Sequence, residues 1–287
     1  MTTPYQQPVP PSPATPQPGQ AMGGYRSPIP VRPATLGDAL ASEWTKLRSL
    51  RSTVWTLGVM IVLIAGIGLL AAALVSGSPE DSGSVLPLGL FGTLLGSICV
   101  ITLGVLTISS EYGTGMIRTT LTACPSRARV LAAKSLVFFL LVFTITTVTT
   151  AVVAALQVAI ADTAAPGGEE YLRATVGVGL HVATLGLLAL AVGSLIRHSA
   201  GAITIMIGVV LLPLVMAMFM FSDGLSGLRE ALFNYSIPNQ LAALYDDSTG
   251  GGPGASGPSG WEPVGVMLAV TAVVMAGAFL ALDKRDV

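Results

Sequence analysis

The sequence predicts an all-α membrane protein in which an amphipathic helix at the membrane surface leads into six transmembrane helices. Three observations carry this. Hydrophobic residues make up 52% of the chain and charged residues only 10%. Mean hydropathy over the 287 residues is +0.75. The apolar residues gather in six runs, each long enough for the ~20 residues that a helix needs to cross a hydrocarbon core. A soluble fold of this length would need more polar surface. In lipid, backbone groups must be satisfied within their own segment, so runs of this kind are helical.

Residues 1–35 form a separate Pro-rich tail, with ten of the nineteen prolines and hardly an aliphatic side chain. Such a segment buries too little apolar area to offset the entropy of ordering it, so a disordered cytoplasmic tail is expected. It lacks the charged start and apolar core of a signal peptide, which leaves the first span as the expected insertion signal.

Residues 36–52, LGDALASEWTKLRSLRS, read as an amphipathic interfacial helix. Leu36, Leu40, Trp44, Leu47 and Leu50 share one face, Lys46, Arg48 and Arg51 flank it, and Trp44 suits headgroup depth. Glu43 falls on the apolar stripe between Leu40 and Leu47. It either pairs with Lys46 one turn on or reaches another segment at the membrane surface.

The spans lie at about 53–75, 85–109, 130–160, 176–196, 200–221 and 261–282. The third is overlong, which requires tilt or projection from the membrane. Only Arg197, His198 and Ser199 separate the fourth from the fifth, a tight helical hairpin, and Pro213 is expected to kink the fifth. Gly92 and Gly96 form a GxxxG, a signal for close helix packing within the subunit or across a dimer. The loop 222–260 combines leucine and aromatic spacing fit for one or two short helices with the flexible linker STGGGPGASGPSG.

Charge sets the expected orientation. Of the fourteen Lys and Arg, twelve fall on the side of both termini and of the loop between spans two and three; only Arg173 and Arg229 fall opposite. The positive-inside rule then puts both termini in the cytoplasm. No span carries Asp, Glu, Lys or Arg in its middle, which argues against an ion-coupled carrier, since such carriers need intramembrane relays. The Thr cluster at 144–150, Gln157 and His181 read as helix-helix or backbone hydrogen bonding. Lys46, Lys134 and Lys284 lack the glycine spacing of a phosphate loop, and no catalytic or metal cluster stands out. Cys99 and Cys124 make no disulfide framework. Any energy source must come from another chain, and no nucleic-acid partner is expected.

The most informative stretch is the loop after span two, SSEYGTGMIRTTLTACPSRARVLAAK. Gly113 and Gly115 break the arriving helix, Met116, Ile117, Thr120 and Leu121 fall on one side of a short amphipathic helix, and Pro125 ends it. Ser126 is the expected N-cap of the next span, with Arg127, Arg129 and Lys134 following. The helix is either a grip for a soluble partner or part of a basic loop that fixes topology.

Taken with EWTKLRSLRST at 43–53, YSIPNQLAAL at 235–244 and the terminal LDKRDV, this loop resembles bacterial ABC-2 type transporter permeases, the membrane subunits of ABC exporters, over residues 36–287. The resemblance implies a six-helix exporter subunit in the bacterial plasma membrane that forms a homo- or heterodimer and docks cytoplasmic ABC ATPase subunits. ATP and Mg would sit on those partners, and no cofactor on this chain. Within the loop 110–129, the family's coupling helix maps onto Glu111, Tyr112, Gly113, Thr114, Gly115, Met116, Ile117, Arg118 and Leu121, and its elbow helix onto Glu43, Trp44, Lys46, Arg48 and Arg51. The Pro-rich tail departs from the family pattern. Uncharged spans favour a hydrophobic or amphipathic cargo. The alternatives are a membrane scaffold or, less favoured, a secondary carrier, neither with an ATPase partner.

Overall fold

A computed structural model describes residues 35–76, 84–124, 126–245 and 257–284. Residues 1–34 of the expected disordered tail, most of the STGGGPGASGPSG linker and the last three residues of LDKRDV lie outside the described residues, while Thr35, assigned to the tail from sequence, belongs to the start of the first helix. Among the described residues there are helices and no strands.

Helix α1 (Leu36–Ser49) begins with a capping box: Thr35 Oγ1 accepts from the Asp38 amide, and Asp38 Oδ2 accepts from the Thr35 amide. Leu50 is extended, and the first span, α2 (Arg51–Val75), starts directly after it. Arg51 therefore opens the span instead of closing the interfacial helix, a correction to the expected 36–52 boundary.

The second span is a 3₁₀ turn followed by α3 (Leu90–Gly113), and α4 (Met116–Ala123) is the short helix of the loop beyond it. Helix α5 (Arg127–Ala161) has 35 residues. At 1.5 Å per residue that is about 52 Å, well beyond a hydrocarbon core, as its sequence predicts. The fourth span runs through α6 (Gly168–Leu172), a π turn at Arg173–Gly177 and α7 (Val178–Ile196). Its helix starts earlier than expected, and Arg173, read from sequence as a loop charge, is a buried residue of the π turn. The apolar run that marked the span begins only after Glu169, Glu170 and Arg173, so hydropathy did not show these helical residues.

Arg197 and His198 make the hairpin into α8 (Ser199–Phe219), which stays helical through Pro213. Helices α9 (Ser226–Asn234) and α10 (Ile237–Tyr245) lie in the first part of the loop before α11 (Glu262–Lys284), the sixth span. Helix α10 is packed in, and Tyr245 Oη lies 2.7 Å from Thr93 Oγ1 of α3.

The fourth span is the centre: 78% of its apolar window is buried, against 22% for α2, α8 and α11. Helix α7 packs on α3, α5, α8 and α11. Its Val178, Val182 and Leu190 join Phe138 and Val142 of α5 and Val100 of α3, while Leu185 and Leu188 face Ile101, Met206 and Val210. Between membrane helices close packing replaces the hydrophobic effect as the attractive term, and small residues permit it. At Gly104 an added Cβ would sit 2.5 Å from the Gly186 carbonyl oxygen of α7, and at Gly92 it would sit 2.9 Å from carbonyls of α2. The GxxxG of α3 is thus used within the subunit.

Gly104→Ala is accordingly expected to lower the thermal unfolding midpoint of the reconstituted protein, at a cost of about 1–3 kcal/mol. Gly58→Ala, where nothing lies within 4 Å of the added methyl group, should leave the midpoint unchanged. Equal midpoints for the two variants would show that α3 and α7 are not held at this contact.

Candidate functional site

The basic end of the bundle gathers α1, the ends of α3 and α5, and α4. Four charged side chains from three helices close a ring there. Lys46 Nζ donates to Glu43 Oε1 at 2.6 Å and to Glu111 Oε1 at 3.1 Å. Lys134 Nζ donates to Glu43 Oε2 at 2.6 Å and to Glu111 Oε1 at 2.8 Å. Glu43, Glu111 and Lys134 are only 3%, 5% and 2% exposed. Both possibilities left open for Glu43 are realised: it pairs with Lys46 on its own helix and reaches α5.

Each member sits where helical spacing turns it inward. Glu43 and Leu47 are the buried residues of α1, Ile108 and Glu111 lie three apart on α3, and Leu131, Lys134 and Phe138 share one face of α5. The ring carries two positive and two negative charges and is neutral. Its members lose hydration on burial and regain it only as mutual pairing, so no one of them can leave without stranding a charge. Burial works against the charge on Lys46, but the Glu43 and Glu111 carboxylates outweigh it and raise its pKa above the ordinary 10.5. The contribution of Lys46 is therefore fully present below that value and is lost only as pH climbs through the raised one.

Two further contacts brace this end. The Arg197 guanidinium of the α7–α8 hairpin lies 4.9 Å from the centre of the Tyr112 ring, a cation–π contact with the last turn of α3. Arg127 Nη1 donates to the Leu282 carbonyl at 3.0 Å, at the end of α11.

Helix α4 hangs from this frame. Gly113 is the last residue of α3, and Gly115, with φ of 72°, is the left-handed residue that starts α4. Ile117 is 6% exposed and Met116 49% exposed. Ile117 therefore does not join Met116 on an outward apolar face; together with the Cys124 side chain it seats α4 on the bundle. Leu121 and Thr120 are half-buried, and Met116, Arg118, Thr119, Thr122 and Ala123 face outward. A cleft of about 320 Å³ separates α4 from α1, lined in part by Asp38, Ser42, Met116 and Thr120.

Of the residues singled out from sequence, Glu43, Lys46 and Glu111 come together, while Trp44, Arg48 and Arg51 remain exposed on α1 and α2. The sequence reading took Lys134 only as a positive charge of the loop. The signal that finds it is the one that exposed Glu43, a charge on an otherwise apolar helical stripe. Among the described residues no three His, Cys, Asp or Glu side chains come together as a metal site.

Lys134→Met leaves Glu43 and Glu111 short of a partner and is expected to cost ~3–5 kcal/mol. Lys46→Met should cost less, because the Lys46 side chain keeps 27% of its exposure against 2% for Lys134. Chemical denaturation of the purified protein reads both, and equal losses would mean that the ring is not the buried joint described.

No curated protein matches the chain. Residues 42–287 match the family described as ABC-2 family transporter protein, a span that takes in the ring, α4 and all six long apolar helices. This multi-pass membrane protein belongs to the ABC-2 transporter family and is a transport subunit of that family.

Proposed function

We propose that the chain is the permease subunit of an ATP-driven exporter, coupled to a separate cytoplasmic ATPase that holds ATP and Mg. The observation that carries this reading is the placement of α4. A short helix with a solvent-facing side of Met116, Arg118, Thr119 and Thr122 is seated by Ile117 directly beside the buried ring that joins α1, α3 and α5. A force delivered to α4 would pass into three helices at once. A scaffold would have no use for such a joint, and the spans offer no intramembrane charged relay for an ion-coupled carrier.

In this reading both termini, α1 and α4 lie in the cytoplasm of a bacterial cell, and two permease chains, identical or homologous, line the pathway in the plasma membrane. Spans without charges in their middles favour a hydrophobic or amphipathic cargo. Met116 supplies the apolar contact on the ATPase and Arg118 meets an acidic rim, a division that makes the first a determinant of dissociation and the second of salt dependence.

Two measurements test this. Met116→Glu combined with Arg118→Glu is expected to reduce ATPase copurification and membrane-stimulated ATP hydrolysis about tenfold or more, because burying one such side chain is worth ~1.5–3 kcal/mol. The amount of inserted, folded permease should stay the same. Ile117→Ala should instead lower thermal stability. If the double variant binds and stimulates its ATPase as well as wild type, α4 is not the docking helix. For orientation, in a background lacking Cys99 and Cys124, a cysteine at Ala165 should react with an impermeant thiol reagent in intact cells and one at Thr122 should not. Labelling at Thr122 would reverse the topology.

A further inference from the structure

Not every positive charge at the basic end is paired. Lys46 and Lys134 are held by the ring, and Arg127 donates to the Leu282 carbonyl. Arg118 of α4 and Arg197 of the α7–α8 hairpin differ: neither has a carboxylate within ion-pair distance among the described residues. Both line one cavity of about 410 Å³, whose other walls are Tyr112, Gly115 and Ile117. No acidic side chain among the described residues lines it. Two guanidiniums around one cavity without a carboxylate set up a positive potential there, and that favours an anion.

The surroundings narrow the kind of anion and its carrier. The Arg197 guanidinium lies over the Tyr112 ring, 4.9 Å from its centre. A guanidinium held by its face keeps the N–H groups in its own plane for an acceptor, and that fork fits the paired oxygens of a phosphate. Gly115 and Ile117 bring the start of α4 to the same wall, and no side chain caps that helix, so its leading N–H groups add to the potential. Arg197 forms the turn between two apolar helices of membrane-spanning length, and Tyr112 lies in the last turn of a third. The cavity therefore lies at the level where the spans meet the headgroups. Basic pockets between membrane helices at that level suit anionic lipid heads.

We propose that this cavity binds the phosphate of an anionic phospholipid, taken from the leaflet at this end of the bundle and gripped between Arg118 and Arg197. The site is in the permease itself and needs no ATPase. Arg197 belongs to the hairpin and not to α4, so replacing it leaves the proposed docking helix intact and separates this site from the export reading.

The purified full-length permease is titrated in detergent with phosphatidylglycerol, and with phosphatidylcholine of the same acyl chains as control, while native mass spectrometry counts the first bound lipid. Phosphatidylglycerol should bind about tenfold more tightly, the factor that one hydrogen bond between charged groups is worth. Arg118→Gln and Arg197→Gln should each remove that preference. Arg48→Gln, at an exposed arginine of α1 outside the cavity, should keep it. Thermal midpoints read beside the titration show that each variant is folded, and Arg118, being exposed, gives a variant that does not disturb the Arg197–Tyr112 contact. Glycerol 3-phosphate, the head without a tail, should not displace the lipid at equal concentration. Equal affinity for the two lipids would overturn the proposal, as would a preference that persists in folded Arg118→Gln and Arg197→Gln. A preference lost equally in Arg48→Gln would make it a property of the basic surface at large. Displacement by equimolar glycerol 3-phosphate would assign the cavity to a soluble phosphate instead. Loss of ATPase copurification in Arg197→Gln with the lipid preference intact would assign it to a carboxylate of the ATPase.

Discussion

Glu43, Lys46, Glu111 and Lys134 can be buried at one end of the bundle only as a set, and that condition constrains the rest of the molecule. Their pairing spans three helices, and separating any one helix would expose an uncompensated charge to a poorly solvated environment. The end of α3 is therefore held to α1 and to the start of α5. The Arg197–Tyr112 contact adds the α7–α8 hairpin, and the Arg127 hydrogen bond adds the end of α11. Every transmembrane helix reaches this end, and α4 is suspended from it.

Deeper in the bundle the physics changes. The spans carry no charges in their middles, and helix contacts there rest on close approach and on isolated hydrogen bonds: Gly104 against Gly186, Gly92 against α2, Gln157 Nε2 donating to the Gly68 carbonyl at 3.0 Å, and Thr271 Oγ1 donating to the Thr184 carbonyl at 3.3 Å. Contacts of this kind are individually modest. A bundle with one strongly paired end and a more weakly bonded remainder can change shape away from the pairing while the paired end moves as a unit. Under the proposed coupling to an ATPase, this asymmetry would let a push at the paired end open a path elsewhere.

How much of this was legible in the sequence follows from the range of each interaction. The six spans were legible because hydropathy is a local property. So were the break at Gly113 and Gly115 and the oddity of Glu43. Its partner Lys134 was not, because 91 residues separate them and no periodicity reports a contact between helices. The stripe of α4 gave Met116 and Ile117 as neighbours but could not say which one the bundle covers. The GxxxG announced close packing without naming α2 as the partner. Arg173 was misplaced because the fourth span was drawn from its apolar run, which begins only after this charged residue, while the helix extends back past it.

The ring makes α1, α3 and α5 one mechanical unit. Spin labels at Ser42 on α1 and Ala128 on α5, both exposed, allow the distance between those helices to be measured by pulsed electron paramagnetic resonance in the assembled transporter. One narrow distance distribution is expected, the same without nucleotide and during ATP turnover. A distribution that shifts or splits with nucleotide while the ring residues are intact would contradict it.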